Sequence, residues 1–398
     1  MDFISERIKK MAVSATLAMS QKSAELKAQG VDVINMSVGE PDFDTPDHIK
    51  DAAKRAIDEN YSRYSPVPGY MSLRKAICGK LERENNMTFT PEQIVVGNGA
   101  KQELTNAILA TVNPGDEVII PTPAWVSYVE MVKLAEGVVV EVPAGIDNNF
   151  KITPAQLEAA ITPRSRMIML NSPSNPTGSI YSYEELKGLA EVLGRHPGIL
   201  ILADEIYEHI NFVDKVHSIS EFEEVRDRVI IVNGVSKAYA MTGWRIGYLA
   251  APLPIAKAVS KLQGQYTSGA SSIAQKAAEA AYTGSQECVE DMRVAFERRR
   301  DLIVELAREI PGWEVNRPDG AFYLFPKVNS YVGKRKPDGS VIETVADYVM
   351  YLLEVAHVAC VDGEAFCAPG YMRLSYATSD ASIREAMRRI GEASAKLK

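Results

Sequence analysis

A chain of 398 residues exceeds what one hydrophobic core usually serves, so two domains are expected. Hydrophobic residues at 46% and charged residues at 24% are ordinary globular values and exclude a disordered chain. The net charge of −8 leaves no basic footprint for nucleic acid or an anionic membrane, so any basic site must be local.

The first 20 residues mix charge into their apolar positions and lack the apolar core of a secretory signal, and no window approaches the roughly 18 apolar residues of a membrane span. A cytoplasmic protein is expected. Cys78, Cys288, Cys360 and Cys367 form no CxxC pair and have no histidine at zinc spacing, which predicts four free thiols and no metal site.

From about residue 47 to 288, amphipathic stretches alternate with short apolar runs, the pattern of βαβ units around a mostly parallel sheet. In chain order the expected strands are 94–96, 117–120, 138–142, 167–170, 199–203, 229–232 and 246–250, all aliphatic and too short for helices. Helices are expected between them, among them 102–111 and 183–193, the latter opened by a capping box of Ser182 and Glu185. Beyond residue 288 come a long charged helix, strand-like AFYLF, a polar turn at KRKPDGS, a further helix and strand-like MRLSYA. The division predicted is an N-terminal segment 1–44 packing with the small domain, a large domain 45–288 with helices on both faces of a seven-stranded sheet, and a small α+β domain 289–398.

Four loops carry residues able to do chemistry. GVSKAYAMTGWRIGY follows the strand at 229–232 and brings Lys237 near Arg245. At the carboxyl end of a strand, a lysine among apolar groups and beside a cation loses proton affinity and becomes a nucleophile toward an aldehyde, although an isolated lysine is usually solvated. ILILADEIYEH ends an apolar run with Asp204, followed by Tyr207. A carboxylate there can pair with a protonated pyridine nitrogen or simply cap the next helix. VVGNGAKQEL forms a glycine-bearing turn into a helix, an anion site in which Gly99 and Ala100 amides and the Arg245 fork would grip phosphate. NSPSNPTG holds Asn175 on a proline-stiffened loop, either as a donor to a ligand oxygen or in an Asx turn. Trp125 offers a flat face to an aromatic ring, or core packing.

Taken together, SVGEPDFDTP, YSRYSPVPGY, GNGAKQ, Trp125, NSPSNPTG, ADEIY, the SKxxxxxGxR pattern from Ser236 to Arg245 and MRLSYA resemble the class I aminotransferases of the pyridoxal-phosphate fold-type I superfamily. The resemblance covers nearly the whole chain and implies the following roles. Lys237 carries pyridoxal 5'-phosphate as a Schiff base and moves the substrate proton, Asp204 pairs with the ring nitrogen, and Tyr207 and Asn175 hold the phenolic oxygen. Trp125 stacks on the ring, while Gly99, Ala100, Lys101, Ser236 and Arg245 complete the cofactor site. Tyr64 reaches the phosphate of the neighbouring subunit, which implies a homodimer with shared active sites, and Arg373 grips the substrate α-carboxylate. One departure is Gly234, where animal-type aspartate enzymes place a phosphate-binding serine.

The SAT run containing Thr16, together with Lys101, resembles the bacterial Iβ-type aspartate aminotransferases and implies recognition of a second carboxylate. Lysine also stands oddly at the positive end of a helix dipole, which favours a functional reading. Gly39, in the N-terminal segment, is expected to line the substrate entrance beside Trp125 and Asn175. Transfer from L-aspartate to 2-oxoglutarate is therefore expected, with prephenate a candidate acceptor. The competing readings are an alanine, aromatic or kynurenine aminotransferase, a lyase or cyclopropane-forming synthase on the same fold, and a non-catalytic binding module. A nicotinamide dehydrogenase would need GxGxxG with an acidic residue about twenty positions on, and no such pairing occurs.

Overall fold

The computed structural model describes residues 3–398. In chain order its strands are β1 (Ile34–Asn35), β2 (Ile94–Gly97), β3 (Glu117–Thr122), β4 (Val138–Pro143), β5 (Ser165–Asn171), β6 (Leu200–Asp204), β7 (Val229–Gly234), β8 (Gly247–Ala250), β9 (Tyr323–Leu324), β10 (Val358–Ala359), β11 (Val361–Asp362) and β12 (Met372–Ser375). Strands β2 to β8 form one sheet in the order β2-β8-β7-β6-β5-β3-β4. All seven strands expected from the sequence are present, and the pairs along β4-β3-β5-β6-β7 are parallel. β8 runs antiparallel to both β2 and β7. Its connection from β7 holds one short turn, Thr242–Trp244, in place of a crossover helix, so the chain returns in the opposite direction.

Period-2 alternation sorts the aliphatic side chains of this sheet onto its two faces. Val118, Ile120, Met167, Met169, Leu202, Ile230 and Val232 join one hydrophobic cluster, packed with Leu104, Ala107 and Ile108 of helix Ala100–Thr111 and Val259 of helix Leu253–Tyr266. Ile119, Ile168, Leu170, Ile201, Ala203 and Ile231 point the other way, toward helices Asp47–Asp58, Met71–Asn85, Tyr183–Gly194 and Ser272–Thr283. Only an α/β layering buries both faces of such strands. The capping box expected at Ser182 is formed with Glu185.

A further cluster joins helix Glu287–Arg308, helix Asp380–Ser394 and strands β9 and β12. The N-terminal segment reaches this part of the chain through β1, which pairs in parallel with β10. The four cysteines are free thiols, and among the described residues no helix is long and apolar enough to cross a membrane.

Candidate active site

The carboxyl ends of β5 and β6 pair Asn171 with Asp204, Asp204 pairs in turn with Val232 of β7, and Lys237 lies in the loop three residues after the end of β7 at Gly234. Beside them opens a cavity of about 390 Å³ whose walls include Lys237, Asp204, Tyr207, Ser236, Arg245, Ala100, Lys101, Trp125, Asn175, Gly39, Thr16 and Arg373. Residues spread over more than 350 positions of sequence thus converge at the sheet edge where open α/β folds bind ligands. Two of the expected residues do not line it. Gly99 lies directly behind, against Arg245. Tyr64 is 98% exposed on the surface of the chain.

Lys237 is half-buried and its Nζ donates to the Gly39 carbonyl at 2.6 Å. Burial lowers its proton affinity to about 8; Arg373 and Arg245 push the same way, while Glu40 and Asp204 oppose. The amine is thereby brought within reach of its neutral, nucleophilic form near physiological pH. Asp204 is 4% exposed, and burial raises its carboxyl to about 6. The Tyr128 hydroxyl donates to its Oδ2 at 2.6 Å and the Ile206 amide to its Oδ1 at 3.2 Å, which favours the charged form. At neutral pH Asp204 is therefore mostly a carboxylate, desolvated, with the Lys237 charge favouring that form.

The turn after β2 ends at Gly99, whose φ of +88° suits glycine. A Cβ there would stand 2.5 Å from Arg245 Nη2, so only glycine lets the guanidinium lie against the start of helix Ala100–Thr111. Arg245 donates to the Thr242 carbonyl at 2.9 Å and the Asn98 carbonyl at 3.2 Å, and these bonds aim its fork without neutralising its charge. A helix N-terminus beside such a fork is an anion cradle.

Also lining the cavity, Arg373, 1% exposed, donates from Nη1 to Asn175 Oδ1 at 2.8 Å and from Nη2 to the Ser37 carbonyl at 2.6 Å. Its guanidinium lies 4.5 Å from the Tyr323 ring centroid and 4.9 Å from that of Phe366. Arg373 Nε and Thr16 Oγ1 are buried without a hydrogen-bond partner. Such orphaned groups at a cavity wall are suited to acceptors on a ligand. Lys101 Nζ sits 4.8 Å from the Trp125 ring centroid, and burial, then Arg245, lowers its proton affinity.

Sequence reasoning missed Tyr128, Tyr323 and Asn171. Tyr128 lies three residues after Trp125 on a helical face, where an aromatic reads as core; its ring meets that of Trp125 edge-on at 5.4 Å. Tyr323 sits in the apolar run AFYLF, and its hydroxyl meets that of Tyr207 at 2.7 Å. Asn171 opens the NSPSNPTG loop, and its Oδ1 accepts from the Asn175 amide at 2.8 Å. The last signal was in view, because an amide side chain closing a β-strand into a proline-rich loop commonly organises that loop.

A mostly parallel sheet whose strand ends gather a lysine, a buried aspartate and an anion cradle, facing a buried arginine from β12, has the make-up of a transferase site for a phosphorylated cofactor. Residues 31–390 match the model of the family "Aminotransferase class I and II", and the chain belongs to that family. It is 50% identical over 392 residues to the aspartate/prephenate aminotransferase of Cereibacter sphaeroides, 98% of each chain being covered. The aspartate aminotransferase of Rhizobium meliloti superposes with a TM-score of 0.96 at 44% identity over 100% of both chains. That of Thermus thermophilus, solved with maleate, gives 0.92 at 41% identity over 99% of this chain and 100% of the other. The chain is a pyridoxal-phosphate-dependent aminotransferase, and the Gly99 cradle, the desolvated Asp204 carboxylate and the poised Lys237 amine fit that cofactor.

Proposed function

We propose that the protein moves the amino group of L-aspartate to 2-oxoglutarate, with prephenate as a further acceptor. The observation that carries the reading is the joint presence, in one cavity, of a desolvated lysine, a buried aspartate and two further cationic side chains, Arg373 and Lys101. The names of the relatives support the substrate class: the Cereibacter protein is an aspartate/prephenate aminotransferase, and the Thermus structure holds the dicarboxylate maleate.

Lys237 would hold the cofactor through Nζ and, once displaced by substrate, take and return the proton of the substrate α-carbon. Bound pyridoxal phosphate supplies the electron sink that makes this proton removable. Asp204 would keep the ring nitrogen protonated, which needs the carboxylate form favoured by Tyr128 and the Ile206 amide. Asn175 and Tyr207 would hold the phenolic oxygen, Trp125 would face the ring, and Gly99, Ala100, Lys101, Ser236 and Arg245 would surround the phosphate. Arg373 would pair with the α-carboxylate, whose oxygens would take up the free Nε. Lys101 and Thr16 would receive the second carboxylate, and Gly39 would line the entrance. Tyr64, exposed on the single chain, would serve the site of a second copy in a homodimer, and the working enzyme would be cytoplasmic.

Donor profiling tests the reading. With 2-oxoglutarate as acceptor, L-aspartate should exceed L-alanine, L-phenylalanine and L-kynurenine in kcat/KM, and prephenate should accept the amino group from L-aspartate. Preference for an aromatic or neutral donor would overturn the assignment to dicarboxylates.

A further inference from the structure

Tyr323 belongs to β9, which pairs with β12 so that Tyr323 lies opposite Ser375, two residues from Arg373. The tyrosine is fully buried, its ring lies beneath the Arg373 guanidinium, and its hydroxyl meets that of Tyr207 at 2.7 Å. The same hydroxyl packs on Gly39, where a Cβ would approach it to 2.3 Å, and the Gly39 carbonyl accepts from Lys237 Nζ at 2.6 Å. One hydroxyl therefore touches both the tyrosine that faces the lysine and the backbone unit that holds it. Its ring meanwhile carries the arginine expected to grip substrate.

We propose that Tyr323 is a positioning residue whose hydroxyl orients that of Tyr207 toward the ligand held at Lys237. The inference rests on the reading that Lys237 holds the cofactor. Each tyrosine hydroxyl has one proton to donate. Once Tyr207 gives its proton to an oxygen of the ligand, Tyr323 has to be the donor into Tyr207, and a donor behind it strengthens the outward bond. The charged groups that act on Lys237 are Glu40, Asp204, Arg373 and Arg245, and those that act on Tyr207 are Arg373 and Asp204; Tyr323→Phe leaves all of them in place. The phenylalanine also keeps the ring under Arg373.

The experiment is a pH titration of the visible absorption band of the cofactor-loaded protein in four forms: wild type, Tyr323→Phe, Tyr207→Phe and the double variant. Loss of the Tyr323 hydroxyl weakens the bond from Tyr207, so the nitrogen at Lys237 holds its proton to higher pH. The midpoint is expected to rise by about half a unit to one unit in Tyr323→Phe. It should rise no further when Tyr323→Phe is added to Tyr207→Phe. An unchanged midpoint in the single variant, or an equal rise in the Tyr207→Phe background, overturns the proposal while leaving Lys237 as the anchor. Absence of any such band in loaded wild type overturns the Lys237 reading itself and this inference with it.

Discussion

Lys101→Met removes one charge and keeps most of the side chain's bulk beside Trp125. Lys101 is exposed on the single chain, and partial burial of its amine, then the like charge of Arg245, lower its proton affinity. Opposite charges 4 Å apart attract by about 4 kcal/mol at an effective dielectric of about 20. Desolvating the substrate carboxylate offsets part of that, which leaves about 2–3 kcal/mol for a charge-assisted hydrogen bond. The expected loss in kcat/KM for L-aspartate is therefore about 30- to 150-fold, while L-alanine, which has no second carboxylate, changes less than about threefold. Steady-state kinetics on both donors decide it. An equal fall for both would mean that Lys101 serves the cofactor or the fold, and the recognition of a second carboxylate would be withdrawn.

Arg373→Lys keeps the charge but loses the planar fork; kcat/KM should fall by about 100-fold, or about 2–3 kcal/mol, for aspartate and alanine alike, and a fall confined to aspartate would move the α-carboxylate site elsewhere. Glu103, on helix Ala100–Thr111, is fully buried and burial raises its carboxyl to about 8 from 4.5. The unfolded chain releases this proton near pH 4.5 and the folded chain only near pH 8, so stability falls as pH rises across that window, by on the order of 5 kcal/mol. Thermal melts of Glu103→Gln should show a shallower loss of Tm between pH 5 and 8, each pH taken as about the midpoint of a buffer step; a slope equal to wild type would mean that Glu103 ionises in the fold. If Tyr64 serves the neighbouring subunit, mixing Lys237→Ala with Tyr64→Phe creates hybrid dimers with one intact site. Activity at limiting cofactor should then exceed that of either parent, and a simple average of the two would refute the shared site.

The large sheet was legible because its strands are buried on both faces. Runs such as ILILA and VIIV have no polar position, and that leaves few structures other than an inner strand. The direction of β8 was not legible, since it depends on the absence of a helix in the β7–β8 connection rather than on any property of GYLA. Strands β1 and β10, of two residues each, lie below any periodicity, and their pairing joins positions more than 320 apart. In the site, charged residues announced themselves. Asp204 stands out because a carboxylate closing an apolar run demands a partner, and Lys237 because it follows a strand end beside Arg245, whereas Arg373 was found through resemblance. Tyr128 and Tyr323 did not stand out, because a buried tyrosine contributes mostly apolar area and only its hydroxyl reveals a role, through contacts with Asp204 and Tyr207 that sequence spacing cannot show. Thr16 was found only through resemblance, yet its unpartnered buried hydroxyl is a structural feature any reading of the cavity would reach.

The central claim is that Lys237 anchors the cofactor of an acidic-donor transaminase, and the visible spectrum of wild type and Lys237→Ala, each loaded with pyridoxal phosphate, tests it most directly. Wild type should show the band of a lysine-bound cofactor that L-aspartate bleaches toward the pyridoxamine form and 2-oxoglutarate restores, whereas Lys237→Ala should bind the cofactor without that band and fail to turn over. A lysine-bound band that persists in Lys237→Ala, or a wild-type band indifferent to L-aspartate, would contradict the account.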